Sequence, residues 1–388
     1  MSEGTMIQKV LIVGGGTSGW MTAAYLQKAF GKHVAITLIE SPTIKKIGVG
    51  EATVPNLQKV LFDFLEIPES EWMSEVNGAF KTAVKFINWR KKDENAPDNH
   101  FYHPFGILPS VDGVPLPQYW YLETKGKERP VDYACFREPA IMDAKLSPCR
   151  MDGTHAVPYA WHFDAHLVAD YLARWAKARG VRHIVENVKE IRLAGDGDIN
   201  AVVAESGRTF DADLYIDCTG FRSMLLNKAL GEPFIDMSDQ LLCDRAVACA
   251  IPNDDEKNGI EPYTSAIAME HGWTWKIPML GRHGTGYVYS AKFTDQDYAS
   301  NAFLELHGLK ANDVNLNHIK FRTGRNRRAW VKNCVAIGLS SCFLEPLEST
   351  GIYFITASIY QLAKHFPGKN INPTLRDQIN HAIQFMYD

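Results

Sequence analysis

The sequence lacks several features that would assign it to a specialised class. No apolar run approaches the ~18 residues of a membrane span, and the N-terminus has neither the basic start nor the apolar region of a signal peptide. The 41 basic and 45 acidic residues leave a formal net charge of −4, too small to indicate nucleic acid or an anionic membrane. The seven cysteines are odd in number and form no Cys-x-x-Cys pair, which favours reduced thiols. We therefore expect a soluble, cytoplasmic protein.

The composition is that of an ordinary globular protein. Hydrophobic residues make up 46% and charged residues 22% of the 388 residues, as in chains that fold around a core. A chain of this length can bury roughly three quarters of its unfolded surface. A disordered or fibrous protein is therefore excluded.

The first forty residues carry the pattern of a nucleotide-binding unit. An apolar strand, Lys9–Val13, precedes a glycine-rich turn, a helix-compatible run at 20–30 and a second strand at 34–40, which predicts a βαβ unit and a parallel sheet. The turn fits G-x-G-x-x-G and consists of Gly14, Gly15, Gly16, Thr17, Ser18 and Gly19. Its glycines permit a tight turn and close approach to a pyrophosphate, and Glu40 suits a ribose hydroxyl pair. The chain is predicted to bind a dinucleotide.

Later segments favour FAD over NAD as that dinucleotide. Three short strands after residue 182 predict an antiparallel meander, and a further strand at 213–217 returns to the parallel sheet, as in large FAD-binding folds. The glycine-rich segment 47–52 either lies as a strap along the flavin ring or is a plain loop. We predict an α/β protein with a Rossmann-like FAD-binding fold of the flavin monooxygenase type and an inserted substrate-binding region.

The predicted organisation is a single domain over residues 1–388. A discontinuous FAD module would comprise about 6–66, 181–222 and 331–366. Two insertions, about 67–180 and 223–330, would build the substrate region.

Two ionisable residues are candidates for catalysis. Lys81 lies in an alternating segment, 80–89, that predicts a strand. Its amine would lie in solvent if exposed, and would be a donor or a nucleophile if buried. Glu348 lies in apolar sequence before a helix predicted at 350–366. Burial would raise the pKa of its carboxyl, as suits a base or a charge stabiliser; otherwise Glu348 only complements the helix dipole.

The start of the same predicted helix offers an anion site. The backbone N–H groups of Thr350 and Gly351 belong to its first turn, where N–H groups have no partner within the helix. The helix dipole is positive at this end. A small anion is therefore predicted to bind there.

Aromatic and histidine residues cluster in two other segments. Residues 273–278 (WTWKIP) place two tryptophans and an isoleucine on one strand face, which is either core packing or a barrier beside a flavin. The pairs His100/His103 and His162/His166 have no His-Glu-x-x-His motif and no cysteine partner. No metal site is predicted.

These motifs together resemble the flavin-dependent tryptophan halogenases, from Lys9 to the last residue. The family's W-x-W-x-I-P motif is present at 273–278. Four further stretches match: 48–55 (GVGEATVP), 100–106 (HFYHPFG), 160–169 (AWHFDAHLVA) and 343–354 (FLEPLESTGIYF). Related flavin hydroxylases share the nucleotide fold but lack the tryptophan motif. The short loop at 90–99 and the overall spacing are most similar to the 7-halogenating members.

The resemblance implies a two-component, FADH2-dependent enzyme that chlorinates or brominates the indole ring of free tryptophan. Reduced flavin would react with oxygen to give a flavin hydroperoxide, and chloride or bromide held at Thr350 and Gly351 would attack it to give hypohalous acid. A catalytic lysine matching Lys81 would present the halogen, as a hydrogen-bonded acid or as a chloramine. A catalytic glutamate matching Glu348 would polarise the halogen donor or stabilise the cationic arene.

The resemblance also implies binding residues. The substrate positions are matched by His103, Phe105, Val84 and Glu348. Val188, Leu339 and Ile352 match flavin-contacting positions, and the strap adds Ile47, Gly50 and Ala52 to the glycine-rich turn and Glu40.

The expected partners are a separate NADH-dependent flavin reductase and the small-molecule substrate tryptophan, with no nucleic acid and no membrane; a homodimer stays open. Members of the family continue beyond this length, so we expect a C-terminal helical part to be missing after residue 388 and the substrate site to be half built. Two alternatives remain: a flavin-dependent aromatic monooxygenase, and a truncated, non-catalytic flavin-binding protein.

Overall fold

Twenty-four strands and eleven α-helices form the part of the chain that the computed structural model describes, which is residues 6–44, 48, 50–90, 99–126, 129–345 and 347–388. The strands are β1 Lys9–Val13, β2 Ala35–Glu40, β3 Glu51–Ala52, β4 Ala79–Lys81, β5 Ala83–Ile87, β6 His100–Pro104, β7 Ser110–Val111, β8 Val114–Pro115, β9 Ala160–Phe163, β10 Arg182–Val185, β11 Val188–Leu193, β12 Ile199–Ala204, β13 Thr209–Phe210, β14 Leu214–Asp217, β15 Phe234–Asp236, β16 Arg245–Pro252, β17 Thr264–Met269, β18 Gly272–Met279, β19 Arg282–Tyr289, β20 Asn317–Lys320, β21 Gly324–Asn326, β22 Trp330–Val331, β23 Cys334–Ala336 and β24 Cys342–Phe343.

The helices connect and cover these strands. They are α1 Thr17–Phe30, α2 Asp63–Leu65, α3 Glu69–Glu75, α4 Leu116–Thr124, α5 Val131–Cys135, α6 Glu138–Asp143, α7 Ala165–Ala178, α8 Asp255–Asn258, α9 Gln296–His307, α10 Gly351–Lys364 and α11 Pro373–Tyr387. Single turns of π-helix occupy Gln58–Phe62 and Met224–Ala229, and short 3₁₀ turns occupy Gly220–Arg222, Ala311–Asp313 and Gly338–Ser340. None of the helices in the described ranges is long and apolar enough to cross a bilayer.

A parallel sheet in the order β10-β2-β1-β14-β23-β22 carries the glycine-rich turn. Neighbouring strands run parallel except β22, which is antiparallel to β23. The central strand β1 is buried on both faces after its first residue, as expected for a parallel sheet between covering layers. The strands of this sheet come from three separate stretches of the chain, 9–40, 182–217 and 330–336.

The predicted meander and return strand are confirmed. β11, β12 and β13 form a three-stranded antiparallel sheet, and β14 then pairs in parallel with β1. The α/β fold class and the Rossmann-like parallel sheet predicted from the first forty residues are also confirmed.

Two further sheets carry candidate site residues. One is seven-stranded, in the order β20-β16-β19-β18-β17-β5-β6, and the other is small, in the order β3-β9-β4. The prediction of one strand over 80–89 is wrong, because two strands, β4 and β5, are separated at Thr82. Thr82 bonds to the Pro262 carbonyl through both its backbone N–H and its hydroxyl, at 2.7 and 2.8 Å. Lys81 therefore belongs to the small sheet, while β5 continues in the large one.

Helix α1 packs on the parallel sheet, and α7 and α10 pack against α1. The side chain of Asp164 caps α7 by accepting hydrogen bonds from the His166 and Leu167 N–H groups, a role for which aspartate is favoured. The helix predicted at 350–366 is observed as α10, Gly351–Lys364. The π-helical turn at Gln58–Phe62 continues directly into α2.

Helix α11 closes one edge of the parallel sheet. The Asn380 amide accepts from the Trp330 N–H at 2.8 Å and donates to the Trp330 carbonyl at 2.9 Å. Asn380 thereby supplies the edge strand β22 with the donor and acceptor that a further strand would offer. At the end of α11, Asp388 accepts two hydrogen bonds from the Arg325 guanidinium, at 2.7 and 2.9 Å.

Candidate active site

The glycine-rich turn between β1 and α1 forms an open cradle. Gly14 has φ +116°, and a Cβ there would lie 2.1 Å from the Cys218 carbonyl oxygen. A Cβ on Gly19 would lie 1.9 Å from the Gly14 carbonyl oxygen, so both positions require glycine. A Cβ on Gly16 would meet nothing within 4 Å, and no side chain caps the first turn of α1. Space and N–H groups are thus available for a pyrophosphate.

Other predicted flavin residues lie around the same edge of the sheet. The Glu40 carboxyl lies so close to Gly15 that a Cβ there would be 2.2 Å from Glu40 Cδ, and Glu40 Oε2 is 3.1 Å from His183 Nε2. A Cβ on Gly338 would lie 2.8 Å from Ser18 Cβ, which brings the turn holding Leu339 to α1. The structure thus brings the glycine-rich turn, Glu40 and the 338–340 turn together.

Two more predicted flavin positions pack on the clusters that flank this edge. Val188 packs against the buried cluster that contains Val13 and Ile39. Ile352 is buried in the first turn of α10 and belongs to the cluster that contains Trp20 of α1. Thr17 joins α1 to the start of α7, because its hydroxyl donates to the Ala165 carbonyl at 3.2 Å.

Residues 50–52 of the strap contact β9 and β18. Ile47 lies outside the described residues. A Cβ on Gly50 would lie 2.9 Å from the Met279 methyl group, and Ala52 is buried and pairs with His162 across β3 and β9. Residues 51–52 are thus a short strand rather than loop, and contact of the strap with the flavin ring stays a prediction. Burial, with a smaller contribution from the Asp164 charge, raises the pKa of the Glu51 carboxyl to about 7.

An open cradle, a carboxylate beside the first strand and a glycine-lined strap fit a flavin dinucleotide. Nothing larger than glycine fills the space before α1 at Gly16, and this is where a diphosphate would lie.

Lys81 is completely buried, with 0% of its surface exposed. Its Nζ donates to the Thr53 carbonyl at 3.0 Å and to Ser349 Oγ at 2.8 Å. Thr53 is itself fixed, because its hydroxyl accepts from the Trp161 N–H and donates to the Trp161 carbonyl. Burial lowers the pKa of the Lys81 amine to about 7, and the Glu348 charge opposes that shift. Both acceptors are neutral, so near neutral pH a large share of the amine is uncharged.

Glu348 and two predicted substrate residues surround the lysine. Glu348 Oε1 is 3.2 Å from His103 Nδ1, and this hydrogen bond raises the pKa of His103. Lys81 Nζ lies 5.0 Å from the centre of the Phe105 ring. The side chains of Glu348 and His103 are 44% and 64% exposed. The site therefore has a buried amine at its floor and half-exposed polar groups at its mouth.

Val84 lies beside this arrangement, because it pairs with His103 across β5 and β6. It is fully buried in β5, in the cluster that contains Ala52, Phe86 and Trp273. Because the chain changes sheets at Thr82, the Val84 side chain packs in the large sheet's core, and its substrate role stays a prediction.

The predicted anion site lies next to the lysine's partner. Ser349 has φ +63°, a left-handed conformation that serine adopts at a cost, and it directs its hydroxyl to Lys81. Thr350 then starts α10 without a side-chain cap. A Cβ on Gly351 would meet nothing within 4 Å. The helix start thus has N–H groups, a positive dipole end and open space, which suit a halide ion.

Sequence reasoning assigned no role to Ser349, Thr53 or Glu51. Ser349 lies between the predicted site residues Glu348 and Thr350, and this position could have marked it as a candidate. Its left-handed backbone conformation cannot be read from the sequence. Thr53 contributes its backbone carbonyl, which accepts a hydrogen bond from Lys81. A backbone acceptor leaves no residue-type signal in the sequence. Glu51 is an acidic residue in a glycine-rich segment, and its burial, which raises its pKa, is seen only in the folded structure.

Within the described ranges, no three His, Cys, Asp or Glu side chains are grouped to hold a metal ion. The chemistry available here is that of an amine, a carboxylate and an anion site beside a dinucleotide cradle.

Comparison with known proteins gives one consistent result. The family model described as tryptophan halogenase matches residues 9–388. The tryptophan 7-halogenase RebH of Lentzea aerocolonigenes is 56% identical over 393 residues, covering 98% of this chain and 74% of that protein. Among solved structures, the tryptophan 6-halogenase SttH of Streptomyces toxytricini superposes with a TM-score of 0.92 at 46% identity, over 97% and 76% of the two chains. Tar14, a C-6 flavin-dependent tryptophan halogenase from taromycin biosynthesis, gives a TM-score of 0.91 at 46% identity, again over 97% and 76%.

Proposed function

Because the chain belongs to the tryptophan halogenase family, we propose that it chlorinates or brominates the indole ring of free tryptophan at the 7-position. It is a flavin-dependent enzyme of that family. A 7-halogenase is 56% identical and a 6-halogenase is 55% identical, so the 6-position is an equal competitor by identity. The preference for position 7 rests on the overall spacing and on the short loop at 90–99, of which residues 91–98 lie outside the described residues.

FAD in its reduced form would supply, with oxygen, the oxidising power that turns halide into hypohalous acid. The turn from Gly14 to Gly19 would hold its diphosphate, Glu40 its ribose, and the strap, Val188, Leu339 and Ile352 its remaining contacts. We assign residues 6–66, 181–222 and 331–366 to this module and 67–180 with 223–330 to the substrate region. A separate NADH-dependent reductase would deliver FADH2.

The start of α10 would hold the halide. The N–H groups at Thr350 and Gly351 bind chloride or bromide beside Ser349, whose hydroxyl already accepts from Lys81. The anion site and the amine are thus linked through a single residue, Ser349. Hypohalous acid formed at the anion site would cross an internal passage to reach the amine.

Lys81 would carry the halogen to the substrate. Its neutral amine attacks the halogen of hypohalous acid: the N–halogen bond forms, the halogen–oxygen bond breaks, and the departing hydroxide takes the amine proton as water. The indole carbon then attacks that halogen, the N–halogen bond breaks, and the ring proton is released. The amine regains a proton, so atoms and charge balance.

Glu348 would stabilise the positive charge that develops on the halogen donor and on the arene. A carboxylate already in place needs no reorganisation during the reaction. His103 holds this carboxylate at 3.2 Å. His103 and Phe105 would position the indole, with Val84 behind them.

One observation carries the proposal: the fully buried Lys81 amine, whose two hydrogen-bond acceptors are both neutral. A lysine enclosed in this way costs free energy, so its retention is explained by chemistry that needs an uncharged amine.

The decisive test is mass spectrometry of tryptophan incubated with the protein, FAD, a flavin reductase, NADH and bromide. The expected product carries the bromine isotope doublet, and its proton NMR spectrum shows substitution at position 7. Substitution at position 6 would overturn the proposed position and leave the proposed halogenation intact. Hydroxylated tryptophan without halogenated product would instead establish a monooxygenase.

The halogenation rate is expected to depend on pH through the Lys81 amine. Because burial lowers its pKa to about 7, the neutral form grows as pH rises through 7, and the rate should rise with it and level off above. Single-turnover reactions with pre-reduced flavin, between pH 5.5 and pH 8.5, exclude the reductase's own pH dependence. A rate that falls over this interval would show that the ammonium form, acting as a hydrogen-bond donor, is the active one.

A further inference from the structure

The tryptophan motif of β18 is bonded directly to the segment that carries Glu348. The described residues of this segment, 343–345 and 347–351, are called the catalytic loop below. The indole N–H of Trp273 donates a hydrogen bond to Glu345 Oε1, and Trp273 is 4% exposed. A donor so well buried has a fixed direction, because its ring is held by the surrounding core.

Glu345 has a second neutral donor, the thiol of Cys243. Burial raises the pKa of this thiol to about 12, and the Glu345 charge and hydrogen bond act in the same direction. The thiol therefore remains protonated and can donate to the carboxylate. A hydrogen bond to an ionised acceptor is roughly twice as strong as one between neutral groups. The Trp273 indole thus anchors Glu345 to the core.

The rest of the catalytic loop needs such an anchor. Ser349 has φ +63°, a conformation that persists only when its surroundings impose it. Leu347 packs against the core cluster that contains Trp273, and its N–H bonds to the Glu345 carbonyl at 2.9 Å. The bond from Lys81 to Ser349 and the contact between His103 and Glu348 hold the far end.

Trp275 shows that the bond of Trp273 is specific. Both tryptophans lie on the same face of β18, with ring centres 6.3 Å apart. Within the described part of the chain, the buried Trp275 indole nitrogen has no hydrogen-bond partner. Packing therefore accounts for Trp275, whereas Trp273 also holds a charged acceptor.

We propose that Glu345 is a positioning residue. Bonded to Trp273, it fixes the near end of the catalytic loop and so sets the positions of Glu348, of Ser349 and of the N–H groups at the start of α10. The catalytic part of this inference rests on the proposed function. The loop-fixing part rests on the contacts alone.

Hydrogen exchange of the full chain, followed by mass spectrometry, tests the fixing of the loop without any need for turnover. The variants are Trp273→Phe, Glu345→Leu and their double, with Glu345→Gln as the conservative change and Trp275→Phe as the matched control. In Trp273→Phe and Glu345→Leu, backbone amides of residues 347–351 should exchange about tenfold faster. The double variant should be no faster than the single ones, because both remove one bond.

The amide of Glu345→Gln can still accept from the indole, so its exchange should stay nearer the wild type. Trp275→Phe should change exchange at 347–351 less than Trp273→Phe. Equal acceleration by the two tryptophan variants, or additive effects in the double one, would show that core packing and not this hydrogen bond fixes the loop, and would overturn the proposal.

Kinetics on the same proteins separates the two levels of the proposal. Trp273→Phe and Glu345→Leu should raise the bromide KM and lower kcat, each by about tenfold, while their FAD affinity, followed by flavin fluorescence, stays within about twofold. Unchanged kinetics would overturn the positioning role. A wild-type protein that halogenates nothing refutes the proposed function, and the exchange results still decide whether Glu345 fixes the loop.

Discussion

Replacing Lys81 by methionine is expected to reduce tryptophan halogenation roughly a thousandfold or more, because the group that would receive and transfer the halogen is removed. Methionine resembles the lysine stem in length, so the enclosed volume stays filled. FAD affinity, measured by the quenching of flavin fluorescence, should be unchanged, since the nucleotide cradle lies at the turn between β1 and α1. Product is measured by mass spectrometry with bromide.

The same variant separates catalysis from stability. The Lys81 amine is bonded to a carbonyl and to a hydroxyl, and burying it costs free energy that methionine does not. The melting temperature of Lys81→Met should therefore equal or exceed that of the wild type. Lys85→Met is the matched control, since this lysine lies in β5 with its amine 5.0 Å from the Tyr102 ring centre. Halogenation that persists in Lys81→Met would refute the halogen-carrying role.

Replacing Glu348 by glutamine is expected to lower kcat about a hundredfold, as does the loss of one preorganised electrostatic partner in other enzymes. Glutamine keeps the size and can still bond to His103, so the tryptophan KM should change little. The pH profile should also move to lower pH, because the Glu348 charge raises the pKa of Lys81 and its removal allows that pKa to fall further. Steady-state rates across the pH range give both results.

Glu66→Gln provides the control for Glu348→Gln. Glu66 is an exposed carboxylate paired with Lys28 at 2.7 Å, so the variant has the same change of charge without altering the site. A kcat for Glu348→Gln within about threefold of the wild type, or an unmoved pH profile, would contradict the role given to this carboxylate.

The parts of the fold that follow from local sequence were predictable. The strand, glycine turn and helix at the N-terminus are determined by steric constraints between residues close in sequence. A side chain at Gly14 or Gly19 would clash with backbone atoms. The Asp164 cap is equally local. The split at Thr82 was not predictable, because it depends on the carbonyl of Pro262, 180 positions away.

The candidate site shows the same division. The anion site at the start of α10 was foreseen from helix electrostatics, which operate within one turn. The burial of Lys81 was left open by its alternating neighbours, and its partner Ser349 is 268 positions away. The bond between Trp273 and Glu345 spans 72 positions. Contacts of this kind are created by the fold and leave no periodic pattern in the sequence.

The amide of Asn380 that completes β22 has a consequence for how copies of the chain meet. An uncovered sheet edge is a template on which another molecule can add a strand, and this is a common beginning of aggregation. Here both polar groups of Trp330 are already occupied by α11, so an incoming strand would first have to displace a helix of fifteen residues. Helix α11 therefore protects this sheet edge from strand addition, and local unfolding of α11 would expose it.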